Sequence, residues 1–401
     1  MDHSRRDELV LRFEAARQAL VREAQARDPG PPARWLHQSS HFTVPATDGE
    51  RIAKAAAGLA PAARLLARLG VTPAQAAQAL AVDVAHVEAA LARGGPPPVL
   101  IVDGEDATAL DAEVQARGRA SAVEAMVALP GSETLVLYMP SGLDLPACAR
   151  DLVDVVGAVL ARGGRLDGVV WPKARHEDEV RLLDAWLGDL EDASGVARRT
   201  VRVALMIESG AALTRLPALV DAARPRLASL VLGLVDLASD LGLPEARQDH
   251  PAIDAARVAM VQAAAGAGVP AIDAMTFEYP VRDPALDDAA NHARVLGALA
   301  ACARDARRGA ALGLAGKWVG HPLQLLVNEV VRRAAIEPAR LAQDVAEARA
   351  YADAVRAGRG AVTWSGRMLD RATDRHLRVR LRVALAYGLL DPTIASELGL
   401  A

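Results

Sequence analysis

The stretch VALMIESGAAL (203–213) ends an apolar run on Glu208, and SLVLGLVDLASDLG (229–242) carries another such run to Asp236. Each run is short, apolar on both faces and followed by a helical pattern. That is how a strand of a parallel sheet covered by helices reads. Working outward, the same rhythm recurs at HFTVPA (41–46), VLIVDGED (99–106), TLVLYMP (134–140), GVVWPK (168–173), PAIDAMT (270–276) and GKWVGHP (316–322). Together with 203–208 and 229–236 these make eight strand–helix units. Eight in one chain predict a closed (β/α)8 TIM barrel more than an open sheet. No Gly-x-Gly-x-x-Gly follows the first strand, which argues against dinucleotide binding.

Three parts stand outside that rhythm. Residues 7–26 read as an amphipathic helix with Leu9, Phe13, Ala16 and Leu20 on one face, broken by DPGPPAR (28–34), which gives an N-terminal arm over 1–34. The barrel then occupies 35–330, with a helical insertion at 61–95 after the first strand. A helical lid is expected over 331–401, interrupted by RAGRGAVTWSGRMLDRATD (356–374). Within the insertion, GVTPAQAAQALAVDVAHVEAALARGG (70–95) imitates a helix-turn-helix. Its second helix carries two acids and only Arg93, whereas a helix that reads a DNA groove presents basic and amide side chains. A helical hairpin that caps the barrel or mediates assembly is the better account.

Composition narrows the class. The chain has 401 residues, 52% of them hydrophobic, with a formal net charge of −4. A near-neutral balance argues against general nucleic-acid or acidic-membrane binding. The N-terminus is charged throughout and no run is long and uncharged enough to span a bilayer. Cys148 and Cys302 have neither metal nor disulfide spacing, and that usage fits a reducing cytoplasm.

In a barrel of this kind, catalytic groups lie at the carboxyl ends of strands. Glu208 and Asp236 are expected there on the fifth and sixth strands, Lys173 on the fourth, and Asp103, Glu105 and Asp106 on the second. Neighbouring strands lie about 4.8 Å apart, so Glu208 and Asp236 can share one hard cation. Magnesium, which takes one or two protein carboxylates and fills its shell with water and substrate oxygens, suits them best, with manganese as the alternative. Glu105 and Asp106 read as acids that hydrogen-bond metal-bound water. Lys173 and Lys317 read either as substrate contacts or as cations ordering the acidic loops. Asp240 reads as a capping acid beside the site, and His321 as a packed strand-end histidine.

The residues also carry a resemblance. HFTVPATDGERIAKA (41–55), IVDGEDAT (101–108), GVVWPKARHEDEV (168–180), LMIESGAAL (205–213), VLGLVDLASDLG (231–242), GLAGKWVGHPLQL (313–325) and GRMLD (366–370) resemble, in order, the motifs of the HpcH/HpaI aldolase and citrate lyase β-subunit group, which includes the malyl-CoA and citramalyl-CoA lyases. The resemblance implies a Mg2+-dependent carbon–carbon lyase that joins or splits a 2-oxo acid, of the glyoxylate or pyruvate type, and an acyl-CoA. It implies metal ligation by Glu208 and Asp236, and substrate contacts from the regions of Gly233, Asp240 and Lys317. Asp370 would be an acid/base on a lid that closes over a neighbouring subunit, in a homotrimer or homohexamer.

One departure stands out. Relatives carry Val-Arg-x-Asn on the third strand, whose arginine contacts substrate oxygens. Here the strand reads TLVLYMPSG (134–142), with Tyr138 near the expected position, and a phenol cannot replace a guanidinium fork. The substrate differs, another basic group takes over, or the chemistry is lost. Two further readings stand beside the lyase: a 3-hydroxyacyl-CoA thioester hydrolase on the same site, if an activated water reaches the carbonyl, and, supported by the missing motif, a catalytically impaired relative that works by binding or assembly.

Overall fold

The computed structural model describes residues 3–27, 31–105 and 111–400. Eight parallel strands, β1 (Ser40–Pro45), β2 (Val99–Asp103), β3 (Leu135–Met139), β4 (Gly168–Trp171), β5 (Arg202–Ile207), β6 (Leu227–Leu232), β7 (Ala271–Asp273) and β8 (Gly316–Val319), pair in chain order, and β8 closes on β1. Nearly every strand residue is buried because both faces are covered, one by helices and one by the opposite wall of the barrel. The expected (β/α)8 barrel is the observed fold.

Alternation along each strand sorts the side chains into two layers. Val99, Ile101, Leu135, Leu137, Met139, Val170, Ala204, Met206, Ile272 and Trp318 meet inside the barrel, and Trp35, on the turn that enters β1, closes its N-terminal end. Val102, Val136, Tyr138, Val169, Leu205 and Leu232 face outward and pack against the surrounding helices.

The helices follow in turn. The helix α1 (His3–Arg27) precedes the barrel. After β1 come α2 (Gly49–Ala56) and the insertion, α3 (Ala62–Arg68), α4 (Pro73–Leu80) and α5 (Val84–Arg93); α6 (Ala112–Ala128) follows β2. After β3 one rod runs through α7 (Ala147–Asp151), a π-turn and α8 (Ala158–Ala161), and α9 (Glu177–Ala193) follows β4. β5 leads to α10 (Gly210–Thr214) and α11 (Leu216–Ala223), β6 to α12 (Leu234–Asp240) and α13 (Pro251–Ala267), β7 to α14 (Asp288–Ala311), and β8 to α15 (Pro322–Ala334).

The insertion does not cover the mouth. It packs on the outer helices α14 and α15, where Arg93 pairs with Glu329 at 3.2 Å and Gln75 meets His292 at 3.3 Å. A Thr72–Gln75 capping box starts α4, so the helix-turn-helix likeness comes from a capped helical hairpin lying on the barrel wall.

Beyond α15 the chain builds a smaller unit from α16 (Pro338–Arg356), the hairpin β9 (Ala361–Trp364) and β10 (Arg367–Asp370), α17 (Arg371–Ala386) and α18 (Pro392–Glu397). Its own core joins Val345, Ala348, Leu381, Ala384, Leu390, Ala395 and Leu398. The sequence break at 356–374 is therefore a β-hairpin, turned at Ser365 and Gly366, both with positive φ. This unit meets the barrel at its N-terminal end. The guanidinium of Arg333, in the last turn of α15, lies 5.7 Å over the Tyr387 ring and donates to the Tyr387 carbonyl, and the Tyr387 hydroxyl bonds Ser39 just ahead of β1.

Candidate active site

The carboxyl ends of β2, β4, β5 and β6 bring acids and one lysine together. β5 ends at Ile207, paired with Leu232 of β6, so the next residues, Glu208 and Gly233, stand side by side. A Cβ on Gly233 would lie 2.4 Å from Glu208 Oε2 and 2.6 Å from its Cβ. The glutamate thus occupies the space a side chain would need, leaning across β6. Gly233 reads as a clearance for Glu208.

The sixth strand is shorter than its apolar run implied. It ends at Leu232, and Asp236 sits in the first turn of α12 and not at a strand end. Val-Asp-Leu continues the run's hydrophobicity, but Gly233 marks the start of the helix. An acid in a first turn is favoured by the helix dipole and remains beside Glu208, whose carboxyl feels its charge.

Lys173 engages this group at both ends. Its backbone has positive φ (53°), which turns its N–H onto Glu208 Oε1. Its ammonium reaches Glu105 Oε1 at 2.5 Å, and the Glu105 N–H donates to Asp103 Oδ1 at 2.9 Å. Asp106 lies outside the described residues. Glu208 is only 3% exposed. Burial raises its pKa from 4.5 to about 8, with Asp236 and Glu105 pushing the same way against the Lys173 hydrogen bond and charge.

That electrostatic state tests the site's fit to a cation. Among the described residues no three His, Cys, Asp or Glu side chains are grouped to enclose a metal. A structural zinc cage is not built here. A carboxyl whose pKa is raised by burial and then by like charges, with a second carboxylate beside it, is instead the sparse all-oxygen donor set that magnesium takes, leaving room for water and substrate oxygens. Glu208 and Asp236 are the residues that could hold it.

The other predicted residues lie elsewhere. Tyr138 faces away from the mouth: it is buried in the sheet–helix layer, with its hydroxyl against Gly104, where a Cβ would come within 2.4 Å. Burial first, then Asp151, raises its pKa well above the usual phenol value. The inward positions of β3 are Leu137 and Met139. Strand alternation was the signal that could have found them, since Val136-Leu137-Tyr138-Met139 sets two apolar side chains where Val-Arg-x-Asn sets arginine and asparagine. Lys317 is likewise fully buried outside the mouth, donating to the Ala274 carbonyl at 2.6 Å and so holding the loop after β7 from behind. Asp240 accepts the Gly210 N–H at 2.7 Å, tying α12 to the start of α10. His321 caps α15 through Nδ1, which accepts the Leu323 N–H, and burial lowers its pKa to about 4. Asp370 caps α17, accepting the N–H groups of Ala372 and Thr373, and those bonds hold its carboxyl below the usual range.

Against this geometry, comparison with known proteins is decisive. Residues 89–306 match the HpcH/HpaI aldolase/citrate lyase family model. The L-malyl-CoA/beta-methylmalyl-CoA lyase of Cereibacter sphaeroides is 30% identical over 71% of this chain and 87% of its own length. The chain belongs to the HpcH/HpaI aldolase/citrate lyase family. Its chemistry class is that of the family's carbon–carbon lyases. A more distant relative, the malyl-CoA/beta-methylmalyl-CoA/citramalyl-CoA lyase of Chloroflexus aurantiacus, is 25% identical over 75% of this chain and 85% of its own. Family members also share the fold. A citrate lyase from Burkholderia xenovorans superposes with a TM-score of 0.61 at 21% identity, covering 90% of this chain and 96% of that one. CitE from Mycobacterium tuberculosis, solved with magnesium, acetoacetate and coenzyme A, gives 0.54 at 21% identity, covering 87% and 99%. Among the described residues of this family member, no helix is long and apolar enough to cross a membrane.

Proposed function

We propose that the chain joins or splits a 2-oxo acid of the glyoxylate or pyruvate type and an acyl-CoA, with Mg2+ held by Glu208 and Asp236. The observation that carries this reading is the buried Glu208 carboxyl, raised to about 8 by burial and by its acidic neighbours. A divalent cation removes that unfavourable charge balance. When bound, it would polarise the oxo-acid carbonyl and favour the fragment that carries it. Manganese would serve the same oxygen donors.

The chain's own groups have separate tasks. Lys173 fixes Glu208 through its N–H and Glu105 through its ammonium, so the acids keep one arrangement as substrate enters. In the cleavage direction a base takes the proton of the 3-hydroxyl, the bond between carbons 2 and 3 breaks, and its electron pair passes into the thioester as an enolate. Protonation at carbon 2 then completes the acyl-CoA. Asp370 is the candidate for the proton transfer from its place in the GRMLD motif; its capping bonds keep it ionised, so it would start as the base and would have to release those bonds to accept a proton. Its unit is fastened to the N-terminal end of its own barrel, so the mouth it serves is that of a second copy. On β3, Leu137 and Met139 offer an apolar wall where relatives place an arginine. Substrate oxygens are therefore gripped from the β2, β4, β5 and β6 side.

The test is product analysis with malyl-CoA, β-methylmalyl-CoA and citramalyl-CoA in Mg2+. A 2-oxo acid, trapped as its hydrazone, should appear in step with acyl-CoA, without free thiol, and should vanish in Glu208→Gln and Asp236→Asn. Free CoA without oxo acid would replace this reading with thioester hydrolysis. A Mg2+-dependent thermal shift with no turnover on any thioester would make the chain a binding relative.

A further inference from the structure

Towards the opposite end of the barrel, the middle of α9 and the segments entering β5 and β6 enclose a cleft of about 560 Å3. It is lined by Arg181, Asp184, Ala185, Arg198, Arg199 and Arg226. Arg226 is its fixed floor. Buried to 3% exposure, it donates to Glu191 Oε1 and Oε2 at 2.8 and 2.9 Å, to Asp184 Oδ1 at 2.5 Å and to the Val201 carbonyl at 2.9 Å. Glu191 also takes the N–H groups of Arg199 at 2.7 Å and Val201 at 2.8 Å, which pins the loop carrying the other arginines. Gly188 leaves room for this arrangement: a Cβ there would meet Arg198 Nη1 at 3.3 Å and Arg226 Nη2 at 3.8 Å.

The charges in the cleft are unequal in their pairing. Arg181 pairs with Asp178 and Arg198 with Asp192, both near the surface. Arg199 is held in a left-handed conformation (φ 66°) that an arginine rarely adopts, and among the described residues its guanidinium has no acidic partner. Arg202 is beside it, partly buried, with only the Pro225 carbonyl at 3.5 Å. Burial, Arg226 and Arg199 all lower its pKa. Arg199, which lines the cleft, and Arg202, which stands just outside its lining, are thus two guanidiniums near Arg226 without an acidic partner of their own among the described residues, and such a pair is a preformed half of an anion site.

We propose that this cleft binds the diphosphate group of a small phosphorylated molecule between Arg199, Arg198 and Arg181, with Arg202 behind them. Guanidinium forks match phosphate oxygens in pairs, and a cleft of this volume admits a ligand of nucleotide size. A long polyanion fits poorly, because Asp178, Asp184 and Asp192 stand on the rim. The site is separate from the mouth and independent of the reading proposed for it.

Calorimetry and thermal shift with inorganic pyrophosphate, in EDTA and low salt, test the assignment. The full chain is compared with Arg199→Asn/Arg202→Gln, where asparagine tolerates the left-handed backbone, and with the surface pair Arg181→Gln/Arg198→Gln. Saturable binding is expected in the wild type and in Glu208→Gln, weakened roughly tenfold or more in each arginine double variant. Unchanged circular dichroism would accompany it. No saturable binding in the wild type would overturn the proposal. So would binding that both arginine variants retain, or binding that Glu208→Gln abolishes, since that would place the ligand at the mouth.

Discussion

Glu208 is where burial, charge and clearance meet. A carboxyl whose pKa is raised by folding keeps its proton at pH values where the unfolded chain has lost it. Stability is then lost as pH rises from about 4.5 to about 8, at ~1.4 kcal/mol per pH unit crossed, and the loss is complete above that. Glu208→Gln removes the ionisable group and keeps an oxygen for the Lys173 N–H. The metal-free variant should therefore melt above wild type at pH 8, by roughly 2–5 °C, and match it near pH 4.5. In the same variant the stabilisation by Mg2+ should disappear. A metal-free wild type no less stable than the variant at pH 8 would show that Glu208 is not burdened by its neighbours. Gly233 tests the same point sterically. Its φ of −93° suits any residue, so Gly233→Ala introduces no backbone strain and acts only by driving a methyl group into the glutamate. Mg2+ affinity measured by calorimetry should fall about tenfold or more, since a displaced ligand loses at least ~1.4 kcal/mol, while the far-ultraviolet spectrum stays unchanged.

At the scale of elements, β3 separates what a linear reading gives from what it cannot. Tyr138 attracts attention as the polar side chain near the carboxyl end of TLVLYMP, yet alternation places it outward with Val136 and leaves Leu137 and Met139 facing in. Tyr138→Phe should accordingly leave the KM for oxo acid within about twofold of wild type, an energy difference under ~0.5 kcal/mol, in steady-state assays. A rise in KM of tenfold with an unchanged melting temperature would bring the phenol back to the substrate. The eight strands were legible because parallel strands buried on both faces are plain apolar runs. Their ends were less so. Hydrophobicity runs from Leu232 through Val235 and resumes at Leu237, and only the chain's turn at Gly233 converts Asp236 from a strand-end acid to a helical one. Glu208, Lys173 and Glu105 were readable as neighbours because strand ends converge in a barrel. The left-handed backbone at Lys173 was not, since nothing in Pro-Lys-Ala specifies it; Glu208, thirty-five residues later, accepts its N–H. Lys317 misleads for a related reason: a lysine in a strand suggests a mouth cation, but the alternate position next to inward Trp318 sends it behind the β7 loop.

For the whole molecule, the consequence lies in how far its parts are separated. The mouth opens at the carboxyl ends of the strands, whereas α15 descends about 20 Å of barrel wall before the C-terminal unit begins. That unit is then tied down by Arg333, Tyr387 and Ser39 at the other end. Asp370, in the same unit, therefore serves a mouth only if copies assemble so that one molecule's hairpin covers another's barrel. Such an arrangement makes a symmetric oligomer the catalytic unit, and it predicts complementation. Asp370→Asn and Glu208→Gln should each be inactive alone. Unfolded together and refolded as a mixture, they should recover roughly a quarter of wild-type activity, because random assortment gives that fraction of mouths an intact Glu208 with an intact Asp370 from a neighbour. Mixing without subunit exchange should recover nothing, and covalent cross-linking before mixing should block recovery. If the refolded mixture stays inactive while size-exclusion chromatography shows mixed oligomers, Asp370 acts within its own chain or not at all. In that case the C-terminal unit would have to leave its Tyr387 anchor to reach the mouth, and Tyr387→Ala would raise activity instead of merely loosening the fold.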